Sequence, residues 1–237
     1  IALRLSGAQI VDINMGCPTP KIVKNGDGCA LMRDLCLAGR IIGAVARAVR
    51  VPVTVKMRLG WDENCKNAAQ LICIARESGA AGVCVHGRTA AQMYAGKADI
   101  DALKRLREGT DLFFIANGAA ADARSAKALL SDTGADMAMI GRAAMGDPWI
   151  FSRSRALLSG AGEPEPATAA QRMDVAIRQF EEMLKYKSEK RAALEMRKHL
   201  MWYLKGLKNA SGIKAQAARV KDGRDVYAIA QVIKAQL

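Results

Sequence analysis

Asn14-Met15-Gly16-Cys17-Pro18 closes a short apolar run that begins at Val11. An amide, a flexible Gly and a thiol stand where a buried strand must stop, because Pro cannot extend a hydrogen-bonded ladder. A free cysteine is more often a small buried hydrophobe, so this position alone decides nothing. Four later runs decide more. Val55-Lys56-Met57-Arg58, Val85-His86-Gly87-Arg88, Ala116-Asn117-Gly118 and Ile140-Gly141-Arg142 each end an apolar stretch in hydrogen-bond donors. A lysine at the end of a buried strand needs a partner or a ligand, since burying it alone is prohibitive. Lys, Arg and His suit an anion, and Asn117-Gly118 and Gly141-Arg142 offer backbone amides with little side chain in the way. No carboxylate pair or Ser-His-Asp set stands at these ends, which argues against hydrolysis.

The elements that must position these groups alternate. Strands are expected at about 11–14, 51–58, 82–87, 112–118 and 137–141. Helices are expected at 67–78, 101–108 and 122–131. The apolar spacing from Ala30 to Val49 is also helical, with Gly39 dividing it in two. Residues 3–10 read as a helix end stopping at Gly7, and Lys21 to Gly28 as a polar loop with two turn signals. The strands are continuously apolar, which predicts burial on both faces. The spacing is that of (β/α)₈ units, although a doubly wound sheet fits the same pattern. Five units cannot close an eight-stranded barrel, so as a barrel this is one lacking its first three βα units. The missing initiator Met points the same way, to a larger gene product.

Ser159 to Pro166 breaks the alternation. The expected organisation is a partial barrel over 1–158, a linker over 159–167 and a small all-α domain over 168–237. Thr168-Ala169-Ala170-Gln171 is a capping-box sequence. Met173, Ile177, Phe180 and Leu184 form one helical stripe behind it, and Met196, Leu200, Tyr203 and Leu207 a second.

The net charge is +13 over 237 residues. Residues 168–237 hold 15 Lys and Arg against 7 Asp and Glu, a net of +8 in under a third of the length. Arg191, Lys198 and Lys205 recur every seven residues, which predicts one basic helix face with Trp202 beside it. This favours a polyanionic partner, nucleic acid first. No apolar run reaches the ~20 residues of a membrane span. The six cysteines show no zinc-ligand spacing with the two histidines, so no metal is expected, and with no secretion signal they read as reduced cytosolic thiols.

Taken in order, Asn14-Met15-Gly16-Cys17-Pro18 with Lys21, Val55-Lys56-Met57-Arg58, Val85-His86-Gly87-Arg88-Thr89, Ala116-Asn117-Gly118 and Ile140-Gly141-Arg142-Ala143-Ala144 resemble the tRNA-dihydrouridine synthases. Arg197-Lys198-His199-Leu200-Met201-Trp202-Tyr203-Leu204 resembles the helical domain of their bacterial B-type branch. The resemblance implies an FMN-dependent TIM barrel, a helical tRNA-binding domain, NADPH as reductant, and reduction of a D-loop uridine by a monomeric cytoplasmic enzyme. It implies Cys17 as the acid that protonates C5, and Lys56 and His86 as flavin-ring contacts. It assigns Asn117, Gly118, Ala119, Gly141 and Arg142 to FMN, Asn14 to the uracil, and Arg88, Arg197 and Lys198 to tRNA. Ala119 stands where the family usually has an acidic residue, so only a backbone contact would survive there. The three preceding strands, with an Ala-Pro-Met-Ala-type loop and a Gln that contact FMN, would lie outside these residues. Another FMN barrel oxidoreductase acting on a small molecule would lack the basic helical appendage. A non-catalytic RNA-binding relative would have no use for Cys17 and Lys56 together.

Overall fold

The computed structural model describes residues 7–208 and 210–235, in two compact units, Ile1–Gly141 and Arg142–Leu237. Most of the expected helix end over 3–10 lies outside the described residues, and from Gly7 to Ile10 there is no helix.

In the first unit β1 (Val11–Met15), β2 (Val53–Arg58), β3 (Gly82–His86), β4 (Phe113–Asn117) and β5 (Met137–Met139) form one sheet in sequential order. All four pairings are parallel. A doubly wound sheet reverses its strand order partway, whereas a barrel adds each strand beside the last. The sheet is therefore an arc of five consecutive barrel staves. Between the strands run α1 (Pro20–Lys24), a 3₁₀ segment (Gly28–Arg33) and α2 (Leu35–Ala48), then α3 (Ala68–Glu77), α4 (Ile100–Glu108) and α5 (Ala123–Thr133).

Two expectations about this stretch need correcting. The polar segment 21–28 is partly helical, because Pro20 pre-sets the first-turn φ of α1 and its missing N–H needs no partner there. Gly39 does not divide α2; the break is Asp34, whose carboxylate caps the helix by accepting from Leu37 N. A Cβ on Gly39 would come within 2.8 Å of the Ile74 side chain, so glycine lets α2 lie close against α3.

Register partners project to the same side of a sheet. On one side Met15, Val55, Met57, Val83, Val85, Phe114 and Ala116 pack against Ile42, Leu71, Leu103 and Leu129 in a single apolar core. On the other stand Asp12, Asn14, Lys56, Arg58, Cys84, His86 and Asn117. The expected burial of both faces holds only in part. Asp12 and Asn14 are exposed, as are Phe113 (45%) and Met137 (51%). Helices cover one face, and the inner face of a barrel is filled by layers from all its staves, of which five supply only a share.

α5 starts with a capping box that the sequence reading missed, because Ser125 rather than Glu or Gln occupies the third position. Asp122 accepts from Ser125 N (2.7 Å), and the Ser125 hydroxyl accepts from Asp122 N (2.9 Å). The bond from the Ser125 backbone, more than any other influence, holds the Asp122 carboxyl below the ordinary range. Its contribution is therefore present above the unfolded carboxylate pKa of about 3.9 and fades as pH falls through the lower folded value. Asp122→Ala is expected to cost about 1 kcal/mol in denaturant unfolding at pH 7 and little at pH 2. An equal cost at both pH values would rule the cap out as the source.

The second unit contains α6 (Ile150–Leu158), α7 (Ala169–Leu184), α8 (Glu189–Tyr203), α9 (Ser211–Ala217) and α10 (Gly223–Ala235). Residues 159–168 carry neither helix nor strand. The Thr168–Gln171 capping box is present. Met173, Phe180, Met196, Leu200, Ile213, Val226 and Ile229 build the core, while Leu184 is exposed and Ile177 and Leu207 only flank it. α8 ends before Lys205, so that residue does not extend the basic helix face; its ammonium lies over the Trp202 ring, 5.7 Å from the centroid. Gly146 has φ +73°, and a Cβ there would come within 2.6 Å of the Trp202 carbonyl oxygen. Gly146→Ala is expected to destabilise this unit by about 2 kcal/mol or more, from left-handed strain plus overpacking. An unchanged unfolding midpoint would mean that the turn can move off the end of α8.

Candidate active site

The strand ends gather the expected groups along one edge of the sheet. Asn14 sits in register with Lys56, Lys56 with Cys84, and His86 with Asn117. At the end of β1 the Asn14 Oδ1 accepts from the backbone N–H of Gly16 (3.2 Å) and Cys17 (3.1 Å). This Asx turn folds the chain back immediately after the strand. Two amide donors on one atom require that atom to be the oxygen. The Nδ2 group makes no hydrogen bond among the described residues.

Gly16 lies flat on β2, where a Cβ would meet the Met57 carbonyl carbon at 3.2 Å. The half-buried Cys17 thiol donates to Thr19 Oγ1 (3.2 Å), and its carbonyl accepts from Cys29 N (3.0 Å). Gly28 makes that second contact possible: its φ is +61°, and a Cβ would stand 2.6 Å from the Cys17 oxygen.

Lys56 Nζ donates to Asn117 Oδ1 (3.1 Å), whose Nδ2 donates to the Met139 carbonyl (2.8 Å). The chain of bonds runs from β2 through β4 to β5. Burial lowers the Lys56 pKa, and no carboxylate forms an ion pair with it among the described residues. Burial also pushes the neighbouring Cys84 thiol up to about 11, so it stays neutral and offers the lysine no charge. A half-buried amine whose one hydrogen-bond partner among the described residues is a neutral amide is a group prepared for an anionic or electron-rich ligand.

His86 is buried, with Nε2 3.0 Å from Arg88 Nη1. A guanidinium can only donate, so Nε2 accepts and the ring proton is on Nδ1. Gly118 has φ +115°, and a Cβ there would come within 2.7 Å of His86 Nε2. Glycine is thus what lets β4 turn away beneath the imidazole. Ala119 is half-buried against the sheet core. Gly141 is exposed, with nothing within 4 Å of its Cβ position.

The four arginines Arg88, Arg197, Arg142 and Arg58 differ in their surroundings. Arg88 is only 7% exposed, and its guanidinium donates to the carbonyls of Ala95, Gly96 and Gly118. These bonds tie the segment 95–96 to the end of β4. Arg197 is half-buried, with Nε donating to Val220 O (2.7 Å), whereas Lys198 beside it is exposed. Arg142 is exposed and opens the 3₁₀ turn Arg142–Ala144 of the second unit. Arg58, read from sequence only as one more donor for an anion, is 2% exposed and bonded to the Gly16, Thr89 and Met93 carbonyls. The two-residue period of a strand, which puts Arg58 on the same side as Lys56, was the signal for its place in the site.

A sequentially wound parallel sheet with its reactive side chains at the carboxyl ends of the strands defines an α/β-barrel protein, with its site where such barrels carry theirs. The chain belongs to the dihydrouridine synthase family, whose model matches residues 2–236. It is 43% identical over 224 residues to a "Probable tRNA-dihydrouridine synthase" of Rhizobium leguminosarum bv. phaseoli, covering 94% of this chain and 68% of that one. The "Probable tRNA-dihydrouridine synthase" of Rickettsia conorii is 40% identical over 216 residues, 91% of this chain and 65% of the relative. The "tRNA-dihydrouridine synthase B" of Xanthomonas campestris pv. campestris is also 40% identical over 216 residues, with the same coverage. The chain thus spans about two thirds of the length of these curated relatives.

Proposed function

We propose that the full-length protein reduces a D-loop uridine of tRNA to 5,6-dihydrouridine in the cytoplasm, with NADPH as the source of reducing power. The observation that supports this reading is the Cys17 loop, folded by the Asn14 turn directly after β1, in the sheet whose neighbouring strands carry the Lys56–Asn117 pair and His86.

The residues fit FMN. Lys56 is a half-buried amine without a charge partner, Gly118 keeps the backbone clear beneath His86, and Gly141 has open space where a side chain would be. Lys56 and the Nδ1–H of His86 would contact the ring system, and Asn117, Gly118, the Ala119 backbone and Gly141 the phosphate, with the adjoining Arg142 assigned there by resemblance alone. FMN, when bound, supplies the hydride that adds to C6 of the uracil. The electron pair of the C5=C6 bond then takes a proton from Cys17 Sγ, and the thiolate regains one from solvent. Asn14 has a free Nδ2 donor to hold the uracil edge while its oxygen holds the Cys17 loop. Lys56, as a cation beside a bound flavin, would favour its electron-rich reduced form. The target base must leave its stack to reach the strand ends.

The helical segment 168–237, with its +8 charge, would bind the tRNA backbone. Lys198 is the residue to test, because Arg197 also holds the bundle together through Val220. Lys198→Ala is expected to weaken tRNA binding and lower the salt slope by about 0.9, leaving flavin reduction by NADPH unchanged. An unaltered slope would remove Lys198 from the interface. The reaction itself is tested by mass-spectrometric mapping of tRNA from cells lacking the gene. One or more D-loop dihydrouridines should revert to uridine, and an unchanged modification map would refute the proposal.

A further inference from the structure

We infer that Arg58 is a positioning residue for Cys17, a role that deepens the proposed function and rests on reading Cys17 as the proton donor. Among the described residues Arg58 is the largest fully buried side chain and forms no ion pair. A buried guanidinium without a carboxylate is costly and persists only where its donors are matched. Here Nε and Nη1 meet backbone oxygens from two different loops: Nε donates to Gly16 O (2.9 Å), and Nη1 to Thr89 O (2.8 Å) and Met93 O (2.7 Å). The Tyr94 ring lies against the guanidinium, its centroid 5.7 Å from Cζ. β2 pairs with β1 on one side and β3 on the other, so a side chain at its end can staple the loops that follow both.

The bond to Gly16 carries the inference. Gly16 C=O and Cys17 N–H belong to one peptide group. Arg58 holds its oxygen end and Asn14 Oδ1 its N–H end, at 2.9 and 3.1 Å. A planar group fixed at both ends cannot rotate, and its plane sets the direction in which the Cys17 Cα–Cβ bond leaves the chain. The next peptide is pinned as well, through Cys17 O and Cys29 N (3.0 Å). On the far side of the staple, Met93 has φ +48°, a left-handed conformation unfavourable for a side-chain-bearing residue. Arg58 Nη1 donates to that strained residue's carbonyl, as expected of a geometry imposed on the loop and not one the loop chooses.

Arg58→Lys in the full-length protein separates geometry from charge, since one ammonium keeps the cation but cannot span both loops. Iodoacetamide labelling followed by peptide mapping reads the Cys17 loop without tRNA, with the exposed Cys36 and Cys73 as internal references. Loss of a charge-assisted bond should free the loop and raise relative Cys17 labelling about tenfold. The kcat for dihydrouridine formation should fall by a similar factor, with KM for tRNA and flavin reduction by NADPH unchanged. Arg58→Met, which has no donor for Gly16 O, serves if the lysine variant does not fold. Wild-type Cys17 labelling in a folded variant would overturn the inference. So would the failure of both variants to fold, which would make Arg58 a residue the fold needs and not one that aims the thiol. Full activity in Cys17→Ala would instead defeat the proton-donor reading and leave the labelling difference standing.

Discussion

Cys17→Ala in the full-length protein is expected to lower dihydrouridine formation by about 10²–10⁴-fold, the usual contribution of a positioned acid. Flavin content, flavin reduction by NADPH and tRNA affinity should all stay near their wild-type values. The expectation follows from how the thiol is held. Its backbone N–H is tied to Asn14, its carbonyl to Cys29 and its Sγ to Thr19. Removing Sγ takes away the proton and the bond to Thr19 but leaves the loop's two backbone bonds intact. The other thiol on this side of the sheet, Cys84, is buried, and its pKa of about 11 makes it a poor replacement. Full activity in the variant would remove Cys17 from the chemistry. Loss of bound flavin together with activity would show instead that the thiol supports the cofactor site.

Gly118→Ala is the second substitution with a large expected effect. It places a Cβ within 2.7 Å of His86 Nε2 and asks alanine to adopt φ +115°. His86 cannot easily retreat, because it is buried and bonded to Arg88, which is itself anchored to the Gly118 carbonyl. Strain and overpacking together are expected to cost about 3–5 kcal/mol, a large share of a domain's stability. The full-length variant should unfold at markedly lower denaturant concentration and purify with little flavin. Gly141→Ala is the matched control, since nothing lies within 4 Å of its Cβ position. It should leave the unfolding midpoint unchanged while weakening flavin binding. Equal stability loss in both variants would mean that the contact with His86 is not what requires glycine at 118.

Much of the fold was legible because the determinants are local. Apolar runs ending in polar groups marked all five strands, and Thr168 with Gln171 marked the start of α7. The burial of the two sheet faces was not legible. Phe113 and Met137 are as apolar as Phe114 and Ala116, and only the number of staves decides which side is covered. Gly39 looked like a helix break because glycine is a poor helix former, but close packing against Ile74 overrides propensity. At the strand ends the residue types were visible and their partners were not. Arg58 and Arg88 read as donors awaiting an anion, and in the structure backbone carbonyls take those donors. Carbonyl partners leave no trace in side-chain sequence. Asn14, Lys56 and His86 lie in the carboxyl-terminal halves of their strands, and Cys17 follows β1 by two residues.

The most direct test is to incubate the purified full-length protein with NADPH and a tRNA transcript that carries no modifications, and to measure the mass of its nuclease fragments. A D-loop fragment should gain two hydrogens, at one uridine, in a reaction that depends on both NADPH and bound flavin. Prompt reduction of the flavin by NADPH, with folded tRNA bound and every fragment mass unchanged, would contradict the account.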